Sequence, residues 1–326
     1  MLLNIVIAII ALILGIILLT LSSDKAIEHS VDIASALGIS PLMIGLLLVS
    51  VGTDLPEIAN SITASLMGHG NLNVGDSLGS VMTQITLMLG LVPFVGGVFK
   101  VHPKRCMIIG ASEILALILA VSIAEKGYIS RIDAFFLVAS WPIFMLITRS
   151  AIDRSIDRKK EAYKKPTKKF KLRKYLRHFL IAILGFTGVA VGAYMVIQSA
   201  ISLSTIFNIP EYILSFFILA LGTSLPELVV ELTALRRGEI EIAIGDAIGS
   251  CIVDATLSIG IGPLLSPIEV SGELVMITGL YALLVSVIVI STLSLRGKLD
   301  KKAGALFVAL YLLSYLVVEL KMMLTP

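Results

Sequence analysis

The sequence predicts an all-α integral membrane protein with ten transmembrane helices in two inverted-topology five-helix repeats. Three observations predict this fold: a strongly hydrophobic composition, apolar runs of about 20 residues along the whole chain, and two motifs that each occur twice at one spacing. The predicted parts are a first repeat over 1–150, a basic linker over 151–177 and a second repeat over 178–326.

The composition excludes a soluble globular class. Of the 326 residues, 57% are hydrophobic and 15% are charged, and the mean hydropathy is +0.98. One soluble core could not bury so much apolar surface. The runs match the hydrocarbon thickness and lack the alternation of barrel strands, so helices that satisfy their own backbone are predicted. The spans lie near 3–21, 40–66, 76–98, 105–124, 130–149, 178–204, 210–235, 244–265, 272–294 and 303–321.

The first span lacks a basic leader and a small-residue cleavage site, so we expect it to be retained. When the ten spans alternate, only Lys126, Arg131 and Lys321 of the 26 Lys and Arg residues fall on one side. The basic side is cytoplasmic by the positive-inside rule. This predicts a multi-pass cell-membrane protein with both termini extracellular and the basic linker cytoplasmic. The lipid bilayer is the expected partner, without nucleic acid or an obligatory protein.

Two motifs recur at a constant offset. Residues 52–57 (G-T-D-L-P-E) return as 222–227 (G-T-S-L-P-E), and residues 75–80 (G-D-S-L-G-S) return as 245–250 (G-D-A-I-G-S), each 170 residues later. Each half holds five spans, an odd number, so the second half enters the membrane from the opposite side. Inverted repeats with interrupted helices are typical of transporters whose substrate site lies near the bilayer midplane.

Glu57 and Glu227 are the first candidate ligands. Each lies deep in an apolar span, where an ionised side chain costs roughly 2.5–3.5 kcal/mol. Pro56 and Pro226 precede them and break the helix, which is expected to leave upstream carbonyl groups without their usual partners. Free carbonyls and carboxylates both bind cations.

Helical spacing adds further oxygen atoms to each half. Such donors suit hard cations, and Ca²⁺ takes about six to eight of them. Soft metals are disfavoured because no His joins the set, and the neighbouring Cys251 is expected to point elsewhere. The predicted side-chain ligands are Thr53, Asp54, Glu57, Ser80 and Gln84 in the first half and Thr223, Ser224, Glu227, Ser250 and Asp254 in the second.

On these motifs the chain resembles the cation/calcium exchanger superfamily, and within it the prokaryotic sodium/calcium exchangers. Nearly the whole chain is covered, and the second half carries both family motifs, G-T-S-L-P-E and G-S-x-x-x-[N/D], unchanged. The resemblance implies Ca²⁺/Na⁺ antiport by alternating access, with a sliding of the first and sixth helices. It implies Glu57 and Glu227 as the central Ca²⁺ ligands and the carbonyls of Ser50 and Ala220 in flanking Na⁺ sites. Thr53, Thr223, Ser224, Ser80, Ser250 and Asp254 would complete the sites.

Four residues depart from that family pattern. Asp54 replaces a Ser, Gln84 replaces the usual Asn, and Asp76 and Asp246 each replace the usual Asn. Asp54 leaves three alternatives open: stronger divalent binding, K⁺ as a co-substrate, or a proton-coupled step. Asp76 and Asp246 follow glycines where a helix is expected to begin, so a capping role is favoured for them.

Three other functions fit parts of the sequence. Two Gly-Asp pairs suggest an intramembrane aspartyl protease, but Asn73 and Ala243 stand where its signature has glycine, so no enzymatic activity and no cofactor are predicted. A passive cation channel would not need a counter-ion. Ca²⁺/H⁺ exchange is the main alternative, although its Asn-Ala-Thr motif is not found. Glu113 and Glu231 are expected to be structural or peripheral and stay outside the predicted site.

Overall fold

The structure is a computed structural model that describes residues 2–36, 50–156, 172–236 and 240–324. Within these residues every element is helical apart from four strands of two residues each. The predicted all-α class is therefore confirmed. No regular sheet takes part in the membrane-spanning body that these residues form.

The first half of the chain forms seven helices and one π-helical turn within the described residues. A proline in the first turn starts both α3 and α6, where a missing N–H leaves no helical bond unmade. The elements are α1 (Leu2–Ala36), α2 (Ser50–Thr53), α3 (Leu55–Leu66), α4 (Gly70–Met82), π1 (Thr83–Met88), α5 (Leu89–Gly96), α6 (Pro103–Ala124) and α7 (Arg131–Ile156).

The second half repeats this order, and its residues 211–219 correspond to residues 41–49 of the first half, which lie outside the described part. α7 and α8 both extend into the predicted linker, of which residues 157–171 lie outside the described part. The elements are α8 (Leu172–Phe207), α9 (Glu211–Leu214), π2 (Ser215–Leu219), α10 (Ala220–Thr223), α11 (Leu225–Arg236), α12 (Ile240–Val253), π3 (Asp254–Ser258), α13 (Ile259–Leu265), α14 (Gly272–Arg296) and α15 (Lys301–Leu324).

Nine helical stretches in the described residues are long and apolar enough to cross a membrane. Each overlaps a predicted span. The remaining predicted span, 40–66, has residues 40–49 outside the described part, and its other residues form α2 and α3. The nine stretches are Leu3–Ser30, Gly70–Gly96, Pro103–Ala124, Arg131–Thr148, Leu176–Phe207, Glu211–Leu228, Ala247–Leu265, Gly272–Arg296 and Lys301–Glu319.

Two small antiparallel ribbons join the halves. β1 (Phe99–Lys100) pairs with β4 (Lys298–Leu299), and β2 (Tyr128–Ile129) pairs with β3 (Ile268–Glu269). β1 and β4 follow the third and ninth predicted spans, and β2 and β3 follow the fourth and eighth. Each ribbon therefore joins two loops that an alternating topology puts on the same side of the membrane.

The turns before β2 and β4 show the repeat at the level of the backbone. Gly127 has φ +82° and Gly297, 170 residues later, has φ +60°. The carbonyl of Gly127 accepts the N–H of Val270, and the carbonyl of Gly297 accepts the N–H of Val101, at 2.9 and 3.0 Å. Other residues rarely adopt such φ values, so glycine is required at both positions.

The long helices α1 and α8 pack tightly along their length. A Cβ added at Gly185 would lie 2.7 Å from the backbone nitrogen of Ala26, and one at Gly192 would lie 2.8 Å from that of Leu19. Small residues permit such a close approach of two helices in lipid. This pair packs against α3 and α9, while α4 and α12, which carry the motifs, lie in the buried centre of the molecule.

Candidate cation-binding site

Each half contains one helix interruption at an equivalent place. Asp54 separates α2 from α3 with φ −82° and ψ 10°, and Ser224 separates α10 from α11 with φ −82° and ψ 7°. Pro56 and Pro226 lie in the first turn of the following helix, where proline is tolerated. The two motif copies therefore adopt the same broken-helix backbone.

Glu57 and Glu227 lie in the first turn of α3 and α11, directly after the interruptions. Their exposed fractions are 1% and 0%. The positive end of a helix dipole stabilises a carboxylate in the first turn. Ser80 Oγ also donates a hydrogen bond to Glu57 Oε1, with a donor–acceptor distance of 3.4 Å. The helix break therefore gives both buried glutamates a favourable electrostatic position.

The second pair of motif copies brings the halves into direct contact. Ser80 lies on α4 and Ser250 on α12, while Gln84 and Asp254 lie in the π-helical turns π1 and π3. Gln84 Nε2 donates to Asp254 Oδ2 at 3.2 Å. All four side chains are buried. The two predicted oxygen patches are thus neighbours.

The acidic side chains converge on one region. The carboxyl group of Glu227 is near enough to those of Glu57, Asp54 and Asp254 for electrostatic interaction. Asp254 in turn interacts with Asp54, Glu57 and Asp76. Like charges repel when buried together. A bound cation would offset this repulsion.

Several oxygen atoms of this cluster have no hydrogen-bond partner among the described residues. Buried polar atoms in proteins are nearly always paired, so a group of acceptors without donors is unusual. The acceptor chemistry fits a hard cation, for which carboxylate and hydroxyl oxygens are the ordinary ligands. The atoms are Glu57 Oε2, both carboxylate oxygens of Glu227, Asp254 Oδ1 and Ser224 Oγ.

Asp76 belongs to this cluster, and the expected capping role is wrong. α4 begins at Gly70, so Asp76 lies inside the helix, with an exposed fraction of 1%. Its Oδ2 accepts from Asn60 Nδ2 at 2.9 Å and its Oδ1 accepts from Thr223 Oγ1 at 3.2 Å. Asp246 also lies inside a helix, because α12 begins at Ile240. Neither glycine before these aspartates starts a helix, and Gly75 is a packing position, because an added Cβ there would lie 2.6 Å from the carbonyl oxygen of Tyr212.

The remaining predicted ligands lie around the helix breaks. Thr53 is partly buried and its Oγ1 donates to Asp54 Oδ2 at 3.5 Å. The carbonyl of Ala220 accepts the N–H of Ser224 at 3.1 Å, so it keeps its helical partner. A carbonyl oxygen has a second lone pair that can still hold a cation. Ser50 begins α2, and its side chain lies outside the described residues.

Cys251 contacts the site, contrary to the expectation that it points elsewhere. Its Sγ donates to Gln84 Oε1 at 3.4 Å. The same Sγ lies 3.1 Å from the carbonyl oxygen of Ala247, so Gln84 shares the single thiol hydrogen with the backbone while its amide group donates to Asp254. Cys251 therefore supports a predicted ligand without being one of the oxygen donors.

Sequence reasoning missed Asn60 and the π-helical turns. Asn60 follows Glu57 by three residues, so helical spacing alone could have indicated its place. The turns π1 and π3 carry Gln84 and Asp254, and π-helical turns are frequent at functional sites, but no residue type announces them. Glu113, which the sequence does not place in the site, accepts a hydrogen bond at Oε1 from Ser286 on α14 at 2.8 Å.

A family model described as "Sodium/calcium exchanger protein" matches residues 7–149 and 177–319. The inner membrane protein YrbG of Escherichia coli strain K12 is 32% identical, over 79% of this chain and 80% of that protein. The sodium/calcium exchanger MaX1 of Methanosarcina acetivorans is 24% identical, over 94% of this chain and 97% of that protein. The matches therefore cover both halves of the chain.

Solved structures also match nearly the whole chain. The sodium-calcium exchanger NCX_Mj, soaked with Na⁺ and Sr²⁺, is 26% identical with a TM-score of 0.60, covering 95% of this chain and 98% of that one. An H⁺/Ca²⁺ exchanger, CAX, has a TM-score of 0.73 at 18% identity, covering 95% of this chain and 82% of that one. At that identity the second likeness concerns the fold alone.

Proposed function

The chain belongs to the sodium/calcium exchanger protein family, and on this premise we propose that it is a secondary antiporter that exchanges Ca²⁺ for Na⁺ by alternating access. The observation that carries the proposal is the convergence of buried carboxyl groups from both halves on one region, with Glu57 and Glu227 in equivalent positions. The two halves, 1–150 and 178–326, act as inverted repeats around this site.

Both ions use the same oxygen atoms, which makes exchange a competition. Ca²⁺ is held by Glu57 and Glu227 with Asp254 and the neighbouring hydroxyl groups, because a divalent ion balances clustered negative charge best. Na⁺ uses subsets of these oxygens and the carbonyls of Ser50 and Ala220. Since an unloaded cluster leaves buried charges uncompensated, the protein changes conformation only when loaded.

The full set of ligands that we propose follows the two motif copies. Asp76 is added because it binds Thr223 directly. No resident cofactor and no enzymatic step are involved. The proposed ligands are Ser50, Thr53, Asp54, Glu57, Asp76, Ser80 and Gln84 in the first half, and Ala220, Thr223, Ser224, Glu227, Ser250 and Asp254 in the second.

Uptake of ⁴⁵Ca²⁺ into proteoliposomes loaded with Na⁺ tests the proposal. We expect Glu57→Gln and Glu227→Gln each to abolish uptake, because each removes a charge from the centre of the site. Glu125→Gln is the control, since Glu125 is exposed in a loop. Uptake that survives in both buried variants, or that proceeds without any counter-ion, would refute Ca²⁺ antiport at this site.

Coupling to H⁺ or K⁺ is the second candidate, and Asp54 favours it. This buried carboxyl group occupies the position that Ser224 holds in the other half, so at this position the first half has one acidic group more than the second. An added carboxylate can bind a proton or a further monovalent cation. Ca²⁺ uptake driven separately by Na⁺, K⁺ and H⁺ gradients shows which ion is the counter-ion. Uptake that does not depend on the Na⁺ gradient would refute exchange against Na⁺.

We further propose that both termini are extracellular and that the basic segment 151–177 is cytoplasmic, in the cell membrane. The positive-inside bias supports this orientation. Each β-ribbon also joins loops of one predicted side. A membrane-impermeant thiol reagent on intact cells should therefore label Glu269→Cys in β3 and spare Lys298→Cys in β4. The reverse pattern would invert the assignment.

A further inference from the structure

A cluster of two histidines and an aspartate lies where α1 and α8 meet, apart from the residues assigned to ion exchange. His29 and Asp32 are on α1, and His178 is on α8. One ligand atom from each of the three residues lies within 4.8 Å of the other two. We propose that His29, Asp32 and His178 form a binding site for a transition-metal ion of the Zn²⁺ class.

The distances fit one metal ion. His29 Nδ1 lies 2.9 Å from His178 Nδ1, and Asp32 Oδ2 lies 3.1 Å from His178 Nδ1 and 3.9 Å from His29 Nδ1. Ligands bound to tetrahedral zinc at about 2.0–2.1 Å are separated by about 3.4 Å. The three separations lie on both sides of that value, so small side-chain rotations bring all three atoms into range. Water supplies the fourth ligand.

The chemistry of the cluster differs from that of the exchange site. Two imidazole nitrogens with one carboxylate favour Zn²⁺ and similar ions, whereas Ca²⁺ prefers oxygen ligands alone. Only one Nδ1 of two facing imidazoles can carry a hydrogen, so the other must be an acceptor. When the metal binds, this Nδ1 hydrogen is lost to solvent and the same ring takes up a hydrogen at Nε2, so the lone pairs of both Nδ1 atoms are free for the metal.

The cluster is accessible to an ion. The side chains of His29 and His178 have exposed fractions of 13% and 14%, and that of Asp32 has 46%. Glu57 and Glu227, in contrast, have exposed fractions of 1% or less. A metal can therefore reach the histidines from the aqueous phase without entering the exchange site.

The position of the cluster indicates what the metal does. The close packing of α1 on α8 runs past Gly192 and Gly185 towards the end of α1, and the imidazole rings meet just beyond it, with centroids 4.9 Å apart. A metal bound there joins the two helices where their small-residue contact ends. Because it binds the folded pair only, it stabilises this end of the molecule.

Zn²⁺ titration of the purified, tag-free protein tests the site. A saturating excess of Ca²⁺ occupies the exchange site throughout, and bound Zn²⁺ is measured by competition with a colorimetric chelator. We expect one Zn²⁺ per chain, with binding at least about tenfold weaker in His29→Gln and in His178→Gln. His69→Gln is the matched control, because His69 also contacts a carboxylate, that of Glu211, at 2.8 Å but has no second histidine beside it.

Two further measurements do not depend on whether the histidine variants of the site fold correctly. Co²⁺ added to the unmodified protein should give the intense visible absorption of a tetrahedral site, and Zn²⁺ should remove it. Zn²⁺ should also raise Tm of the unmodified protein and of His69→Gln. Absence of Zn²⁺ binding by the unmodified protein, or equal binding in His29→Gln, His178→Gln and His69→Gln, would overturn the proposal.

Discussion

The side-chain amide of Gln84 donates a hydrogen bond to the carboxylate of Asp254 at 3.2 Å, although the two residues are 170 positions apart and equivalent in the two repeats. At this equivalent position the first repeat thus contributes a neutral hydrogen-bond donor, Gln84, and the second contributes a carboxylate, Asp254. The bond occupies Oδ2 of Asp254 and leaves Oδ1 for a cation. Exchange of the two residue types between the halves would keep the total charge.

Asp254→Asn should weaken Ca²⁺ transport more than Na⁺ binding. The substitution removes one negative charge and keeps the size of the side chain, and affinity for Ca²⁺ depends strongly on the charge of the ligand set. We expect the KM for Ca²⁺ to rise by about tenfold or more. Initial rates of ⁴⁵Ca²⁺ uptake over a range of Ca²⁺ concentrations measure this. An unchanged KM would remove Asp254 from the proposed ligands.

Gln84→Glu combined with Asp254→Gln provides the control for that prediction. The double variant has the same number of carboxylates as the natural chain and can form the same hydrogen bond with donor and acceptor exchanged. Transport should recover relative to Asp254→Asn if charge at this place is what matters. Failure to recover would mean that the halves are not interchangeable at this pair.

Asp54→Ser should make the first half resemble the second, which has Ser224. The change removes a carboxylate that interacts with Glu227 and Asp254, so divalent affinity should fall while Na⁺-driven exchange continues. Uptake under Na⁺, K⁺ and H⁺ gradients is compared before and after the substitution. If Asp54 carries H⁺ or K⁺ coupling, dependence on that gradient disappears in the variant.

Asp76→Asn distinguishes a role in ion binding from a structural one. Asp76 accepts hydrogen bonds from Asn60 and Thr223 and interacts electrostatically with Asp254. Loss of its charge should weaken Ca²⁺ transport by about fivefold or more while Tm changes little, because the side chain keeps its volume. A lower Tm with unchanged transport would favour the structural role instead.

The repeat, the spans and the buried glutamates could be predicted because they depend on order along the chain. Hydropathy reveals the spans and the constant offset of 170 residues reveals the repeat, and neither depends on how each helix is rotated about its axis. The roles of Asp76 and Cys251 depend on the direction in which each side chain points. The expected capping role of Asp76 and the expectation that Cys251 points away from the site were both wrong. α4 begins five residues before Gly75, and the turn π1 then shifts the face that later residues present.

Long-range contacts were beyond sequence reasoning for a related reason. Asn60 meets Asp76 only because α3 packs on α4, and His29 meets His178 only because α1 packs on α8. No local pattern predicts either pairing. The glycines of α8 were the only hint in the sequence that this helix packs closely on another, since close helix packing in lipid uses small residues.

Gly79→Ala should damage the centre of the molecule through packing alone. A Cβ at this position would overlap the carbonyl oxygen of Phe216 and lie 2.7 Å from Cβ of Ala220. Helix α4 would be forced away from π2, which carries Phe216, and from α10, which carries Ala220 and Thr223, so the geometry of the site would change with it. We expect a loss of about 1–3 kcal/mol in unfolding free energy and a marked loss of transport.

Ser77→Ala on the same helix is the matched control for Gly79→Ala. Ser77 is equally buried, and its Oγ has no hydrogen-bond partner among the described residues, so removal of that atom leaves the helix contact unchanged. Tm in detergent and ⁴⁵Ca²⁺ uptake should both stay near the values of the unmodified protein for Ser77→Ala. Equal behaviour of the two variants would mean that α4 does not need its close approach to Phe216, and the site would then depend on its oxygen ligands alone.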